Sequence, residues 1–141
     1  MIKVLIDANV ILDVLLLRRP WLAESEALWK FIEFGHGRGM LSAHAVTTIF
    51  YFVRKDRGFN RAKEAVDALL TVFGVAEVNI DILRSALLLN STDFEDATTA
   101  AAAQAAGCGL IATRDPKGFR NSPVPAVSPK EALRAILARA T

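Results

Sequence analysis

A single cysteine, Cys108, stands in 141 residues, so an internal disulfide is excluded. Its setting, Gly107-Cys108-Gly109-Leu110-Ile111, is that of a buried inert thiol in a reducing compartment. No apolar run approaches the 18 residues of a membrane span, and no signal pattern precedes the first strand. A soluble, cytoplasmic protein with no membrane partner is expected. Charge of either sign is scarce in excess: 17 Lys and Arg face 15 Asp and Glu, a net of +2. That balance gives no case for nucleic acid by itself, so any polyanion site must come from local clustering. Linkers, repeats and low-complexity tracts are also lacking, and residues 1–141 are expected to form one domain. A chain of this length buries about 68–70% of its unfolded surface, enough to fold without structural zinc.

What is present is a strand pattern alternating with helical ones. Ile2 to Ile6 is a continuous β-preferring run, the mark of a strand buried on both faces in a parallel sheet. A short helix follows from about Val10 to Leu17, ended by Arg18-Arg19-Pro20. Helical spacing recurs over Trp21–Phe34, with Gly35-His36-Gly37-Arg38-Gly39 as the stop, and Met40-Leu41-Ser42 reads as a second strand. Further helices are expected over Ala43–Lys55, from an Asn60 cap to Phe73, over Ile80–Leu89 with Ile82, Leu83, Ala86 and Leu87 inward, and over Asp93–Ala106. Gly74–Val78, Leu110–Thr113 and Ala126-Val127 are the remaining strands, and a last helix opens at Ser128-Pro129. This is the pattern of an α/β/α sandwich around a mostly parallel sheet of about five strands.

Charged residues at strand ends call for a reason. Asp7 ends the first strand and could simply cap the next helix. Asp115 ends the fourth strand, where Asp115-Pro116 equally suits an Asx turn. Strands of a parallel sheet point one way, so both aspartates belong to the same edge, where ligands bind in open α/β sheets. A third acidic group, Ser91-Thr92-Asp93-Phe94-Glu95-Asp96-Ala97, opens a helix. Thr92 and Glu95 fit a capping box and Asp93 suits the helix dipole. Asp96 is left over, on the side opposite the stripe Phe94, Ala97, Ala101 and Ala105 that is expected to be buried. In a single simple crossover that helix is expected to start near the opposite edge, so the sequence alone does not join Asp96 to the other two. Aspartates held together repel unless a cation neutralises them, and oxygen ligands without His or Cys select a hard ion such as Mg²⁺. The chemistry this suggests is metal-assisted phosphodiester hydrolysis.

Three motifs in order, Ile-Asp-Ala-Asn-Val-Ile-Leu-Asp-Val-Leu at 6–15, Ser-Thr-Asp-Phe-Glu-Asp-Ala at 91–97 and Thr-Arg-Asp-Pro-Lys-Gly-Phe at 113–119, resemble the PIN domain, particularly the compact type related to VapC toxins. The similarity continues through Val-Pro-Ala-Val-Ser-Pro-Lys-Glu-Ala-Leu at 124–133. The resemblance implies a five-stranded parallel sheet between helices and a Mg²⁺- or Mn²⁺-dependent endoribonuclease site. It makes Asp7, Asp96 and Asp115 the metal-binding acids, supported by Asn9 and Thr113, and brings the start of the Asp96 helix to the same pocket. Asp93 is then an additional acid, whereas Asp13 is assigned a structural role. It further implies a homodimer and an antitoxin lying across the acidic pocket. Two positions depart from the family pattern. Thr48 stands where many PIN nucleases carry a glutamate, and Gly118 where an acid often precedes the phenylalanine. The site is therefore a three-acid version, one that recruits Asp93 as a fourth, or an inactive one.

The other residues divide between this site and ordinary packing. His44 is assigned to the surface or to capping, and Trp21 and Trp29 to the core or a subunit interface. Arg18, Arg114 and Lys117 are candidates for contacting RNA phosphates. Phe50-Tyr51-Phe52 exceeds one helical stripe and suggests a covered apolar surface. Two readings follow, a toxin-type ribonuclease and a non-catalytic RNA-binding or protein-interaction module. A phosphoacceptor receiver domain shares the α/β plan but wants paired acids after the first strand, which Asp7-Ala8 does not provide.

Overall fold

The computed structural model describes residues 1–140. Five strands make one all-parallel sheet: β1 (Lys3–Ile6), β2 (Arg38–Ser42), β3 (Gly74–Ala76), β4 (Leu110–Ala112) and β5 (Ala126–Val127), in the order β3-β2-β1-β4-β5. β1 lies at the centre, with Leu5 opposite Met40 of β2 on one side and Ile111 of β4 on the other. The expected strand is thus present and is covered on both faces, which is why Val4, Leu5 and Ile6 are apolar in succession. Alternation divides the run between two cores. Val4 and Ile6 pack with one set of helices, whereas Leu5 and Ile111 pack with Ala100 and Ala103 on the other face.

The first helical layer holds α1 (Ala8–Leu15), α2 (Leu22–Glu33), α3 (Ala43–Arg57), α4 (Phe59–Val72) and α7 (Pro129–Ala140). The second holds α5 (Ile80–Leu88) and α6 (Phe94–Ala105), which pack on each other. The result is the expected three-layer α/β/α arrangement. Gly39 lets the Phe73 ring lie close on β2, since a Cβ there would stand 2.6 Å from a ring carbon. Ser128 accepts from Glu131 N at 3.1 Å and opens α7 as expected.

Several local expectations are corrected. Asn60 lies inside α4, and the turn before it is made by Gly58 at φ 92°, a left-handed conformation that suits a residue without a side chain. Thr92 does not cap α6, because Asp93 does, its Oδ1 accepting from Asp96 N at 3.0 Å. Phe94 and Ala105 are exposed, while Thr98 to Ala103 are buried around the whole helix. After Asp115 the chain forms a 3₁₀ turn over Pro116–Phe119.

The start of α6 also lies at the carboxyl edge of the sheet, not the opposite one. A helix that returns the chain between parallel strands runs against them, so it must begin at the edge where the strands end.

Candidate active site

Asp7 follows the last residue of β1, and its N–H donates to Ala112 O at 2.9 Å, so the sheet itself fixes its backbone. Each carboxylate oxygen has a donor. Oδ1 accepts from Ala8 N at 2.9 Å, which makes Asp7 the N-cap of α1, and Oδ2 accepts from the Thr113 hydroxyl at 2.8 Å. The capping and the site readings therefore describe one side chain. Burial pushes its carboxyl above the ordinary aspartate range, while the Thr113 and Ala8 bonds and the neighbouring His44 pull the other way.

Thr113, fully buried, links two of the acids. Its hydroxyl donates to Asp7 and accepts from Asp115 N at 3.1 Å. The loop after β4 is tied once more where Arg114 N donates to Asn9 Oδ1 at 3.4 Å. Asn9 and Thr113 thus hold backbone and carboxylate positions.

Asp96 reaches the same place from α6. A Cβ on Gly118 would stand 2.7 Å from Asp96 Oδ2 and 3.5 Å from Asp115 Oδ2, so both carboxylates approach one stretch of bare backbone. A side chain at 118 would have to displace the Asp96 carboxylate. The electrostatic consequence is large: Asp96 is pushed up to about 7, first by burial and then by the charges of Asp93, Asp7, Asp115 and Glu95.

The cleft beside Asp7 and Asp96 is also lined by His44, Thr48, Glu95 and Thr99. Thr48 therefore brings a neutral side chain to a cleft shared with two acids, its hydroxyl donating to His44 O at 3.4 Å. His44 does more than the surface role assigned to it. Its ring is half-buried, Nε2 lies 3.5 Å from Thr99 Oγ1, and it is near enough to lower the Asp7 pKa. The signal was its place just after β2, which ends at the same sheet edge as β1. Glu95 was read only as part of a capping box, but it lies along the cleft.

These donors are oxygens, and the converging negative charge is what a hard cation would neutralise. Among the described residues no three His, Cys, Asp or Glu side chains stand together in metal-ligating geometry. The chemistry of the donor set fits a divalent ion, and Asp96 with Asp115 flanks one point.

Of the cationic candidates, Lys117 is exposed and free of ion pairs among the described residues. Arg114 is half-buried, its Nε 2.9 Å from Asp13 Oδ2 and its guanidinium 3.9 Å from the centre of the Trp21 ring. Arg18, half-buried, acts on Asp13 by charge. Trp21 consequently lies outside the core, whereas Trp29 packs edge-on against Phe73.

The backbone as a whole resembles those of several solved structures. The DNA-bound VapBC structure from Salmonella typhimurium matches with a TM-score of 0.72 at 14% identity, over 92% of this chain and 99% of that one. A toxin–antitoxin complex from Klebsiella pneumoniae gives 0.66 at 21%, over 89% and 97%. VapC20 of Mycobacterium tuberculosis gives 0.63 at 19%, over 77% and 86%. No curated protein sequence matches the chain. At such identities the likeness is one of fold. The family model described as PIN domain matches residues 3–117, taking in Asp7, Asp96 and Asp115 together with most of the sheet, and the chain belongs to the PIN domain family.

Proposed function

We propose that this protein is a divalent-metal-dependent endoribonuclease, and that it is the toxin of a toxin–antitoxin pair. The observation that carries this reading is the approach of Asp96 and Asp115 to the backbone of Gly118, with Asp7 bound through Thr113 to the same loop. Asp7, Asp96 and Asp115 would hold the Mg²⁺ or Mn²⁺ ion, with Asp93 fixing the start of α6. The ion supplies activation of a water and neutralisation of charge on the leaving oxygen. The chain contributes orientation: Thr113 aims the Asp7 carboxylate, and Asn9 steadies the loop of Asp115. Lys117 and Arg18 are assigned to RNA phosphates, whereas the Arg114 guanidinium is taken up by Asp13 and the Trp21 ring. VapC20 is described as a Sarcin-Ricin loop cleaving toxin and the Klebsiella protein as part of a toxin–antitoxin complex, which supports the class of activity and an antitoxin partner.

A homodimer in the cytoplasm completes the reading. Tyr51 and Phe52 on α3 are exposed, and a second copy would cover such a surface. No helix among the described residues is long and apolar enough to cross a membrane. The test is cleavage of single-stranded and structured RNA with Mg²⁺ or Mn²⁺. Activity is expected to vanish in EDTA and in D7N and D96N, and equal activity of those variants would refute the assignment.

One observation favours a second reading, a non-catalytic RNA-binding or protein-interaction module. Thr48 brings no charge to the cleft, and among the described residues no three His, Cys, Asp or Glu side chains are grouped as metal ligands. Calorimetry with millimolar Mn²⁺ separates the two, since this module would bind no ion.

A further inference from the structure

Next to the acidic cleft, α6, the segment before it and the turn after Asp115 enclose a hollow of about 150 Å³ that shares Asp96 and Gly118 with the site. From this hollow we infer a nucleobase subsite, which takes the base of a nucleotide adjoining the phosphate at the acids. The inference rests on the ribonuclease reading for the identity of the strand.

Size narrows the ligand first. At roughly 30 Å³ for each water the hollow holds about five, too many for a bare ion. It is smaller than the roughly 300–1,000 Å³ of sites for drug-sized molecules, so one flat ring system suits it. The lining narrows it further. Ala97 and Ala100, one turn apart on α6, and the buried Phe119 give an apolar floor where larger side chains would have filled the space. A phosphate alone has no use for such a floor.

The walls supply polar edges. Asn121 Nδ2 donates to Asn90 O at 2.7 Å, joining the two sides of the hollow, so it is formed before any ligand arrives. Asn90 lines the hollow and is exposed, and its amide, which carries both a donor and an acceptor, has no hydrogen-bond partner among the described residues and is within the chemistry that readout of a base edge uses. Lys117 and Arg120 line the same hollow, are exposed and form no ion pair among the described residues, although Asp96 lies beside them. Cations left free beside carboxylates are suited to the phosphates on either side of a seated base.

The test begins without divalent ions. Amide NMR titrations would compare adenosine and uridine 5′-monophosphates with ribose 5-phosphate. At least one nucleotide is expected to shift the amides of Asn90–Thr92 and Gly118–Ser122 saturably, with a Kd at least about tenfold below that of ribose 5-phosphate. Thr92 is exposed and its side chain has no hydrogen-bond partner among the described residues, so T92W should fold normally while closing the mouth. It is expected to remove the nucleotide preference and to leave ribose 5-phosphate binding unchanged. Equal affinity for ribose 5-phosphate and both nucleotides, or a preference untouched by T92W, overturns the subsite. The second arm uses oligoribonucleotides with one abasic residue moved along the strand. Cleavage should fall at least about tenfold when that residue adjoins the cut, and this sensitivity should disappear in T92W. Cleavage indifferent to the abasic residue overturns the subsite while sparing the ribonuclease reading. Base-dependent binding of nucleotides without any RNA cleavage defeats the ribonuclease reading instead.

Discussion

Asp13 and Arg114 meet at 2.9 Å across the gap between α1 and the loop of the acids, one side chain wholly buried and the other a quarter exposed. The approach lies off the line of a hydrogen bond, and neither carboxylate oxygen of Asp13 has another donor. Trp21 covers the guanidinium from outside. Arg114 sits between Thr113 and Asp115, so this pair, which touches neither cleft nor hollow, holds the segment that carries one acid and supports another.

The pair should respond unequally to its two deletions. Removing one partner of a buried pair costs roughly 3–5 kcal/mol, chiefly through the charge left behind. In R114A that charge is Asp13, which has no access to solvent and keeps only the weaker influence of Arg18, so a loss toward the lower end of that range is expected. In D13A the arginine can turn outward, so the loss should be smaller. Urea unfolding at pH 7 measures both, and a larger loss in D13A would contradict this arrangement.

Gly118 separates folding from function. Its backbone is not in the left-handed region, so alanine is tolerated by the chain and reduces unfolded-state entropy by about 0.4–1 kcal/mol. Yet the added Cβ would meet Asp96 Oδ2 at 2.7 Å and must displace it. A displacement near 1 Å in such a site can cost about a hundredfold in rate. G118A is thus expected to keep its thermal midpoint while RNA cleavage falls by about ten- to a hundredfold.

Much of this was legible because a buried parallel strand announces itself. Val4 to Ile6 and Leu110 to Ala112 are apolar on both faces, and the aspartates that follow can only lie at the edge where the strands end. Asp96 was misplaced for another reason: its helix was expected to start at the opposite edge, although a helix that leads directly into β4 runs against that strand and begins where the strands end. His44 and Glu95 enter the cleft through tertiary packing, which spacing along one element cannot reveal. In α5 the periodicity was informative only in part. Ala86 is buried and Ile82 half-buried as expected, whereas Leu83 and Leu87, also expected inward, are exposed, because leucines at 83, 87 and 88 leave the helix apolar on more than one side. The Asp13–Arg114 pair joins positions 101 apart, beyond any local pattern.

The raised Asp96 pKa sets the sign of a pH effect in metal-free protein. Its folded value is about 7 against an ordinary 3.8, so between those values the folded state binds the extra proton. Stability from this group is therefore full below about pH 4 and is lost as pH rises through 7. D96N should raise the thermal midpoint at pH 8 and leave it nearly unchanged at pH 4. Adding Mn²⁺ at pH 8 should raise the wild-type midpoint, by the equivalent of about 2.7 kcal/mol at a hundred times Kd, and do little for D96N. Scanning calorimetry at both pH values gives all of these.

Thr48 offers a gain rather than a loss. It faces the cleft with Asp7 and Asp96, and an added carboxylate raises the ligand charge that tunes divalent-ion affinity. T48E is expected to lower the midpoint of metal-free protein through repulsion and to tighten Mn²⁺ binding by about tenfold or more, equivalent to about 1.4 kcal/mol. Calorimetric titration reads the affinity directly, and an unchanged Kd would place the ion elsewhere.

Thr113 should be the most sensitive residue without a charge. T113V preserves shape but leaves Asp115 N without its acceptor and Asp7 Oδ2 without its donor, at a cost of roughly 1–3 kcal/mol in stability. The hydroxyl also restrains the rise of the Asp7 pKa, so its removal lets burial push that carboxyl further up. A base-form carboxylate is then populated only at higher pH, and the acid limb of the cleavage profile should move upward in T113V. T113S retains the hydroxyl and should retain the wild-type limb even if some stability is lost with the methyl group. Rate profiles of the three proteins between pH 5 and 9 decide the matter: coincident limbs for T113V and wild type would mean that Thr113 holds the loop without governing the acid.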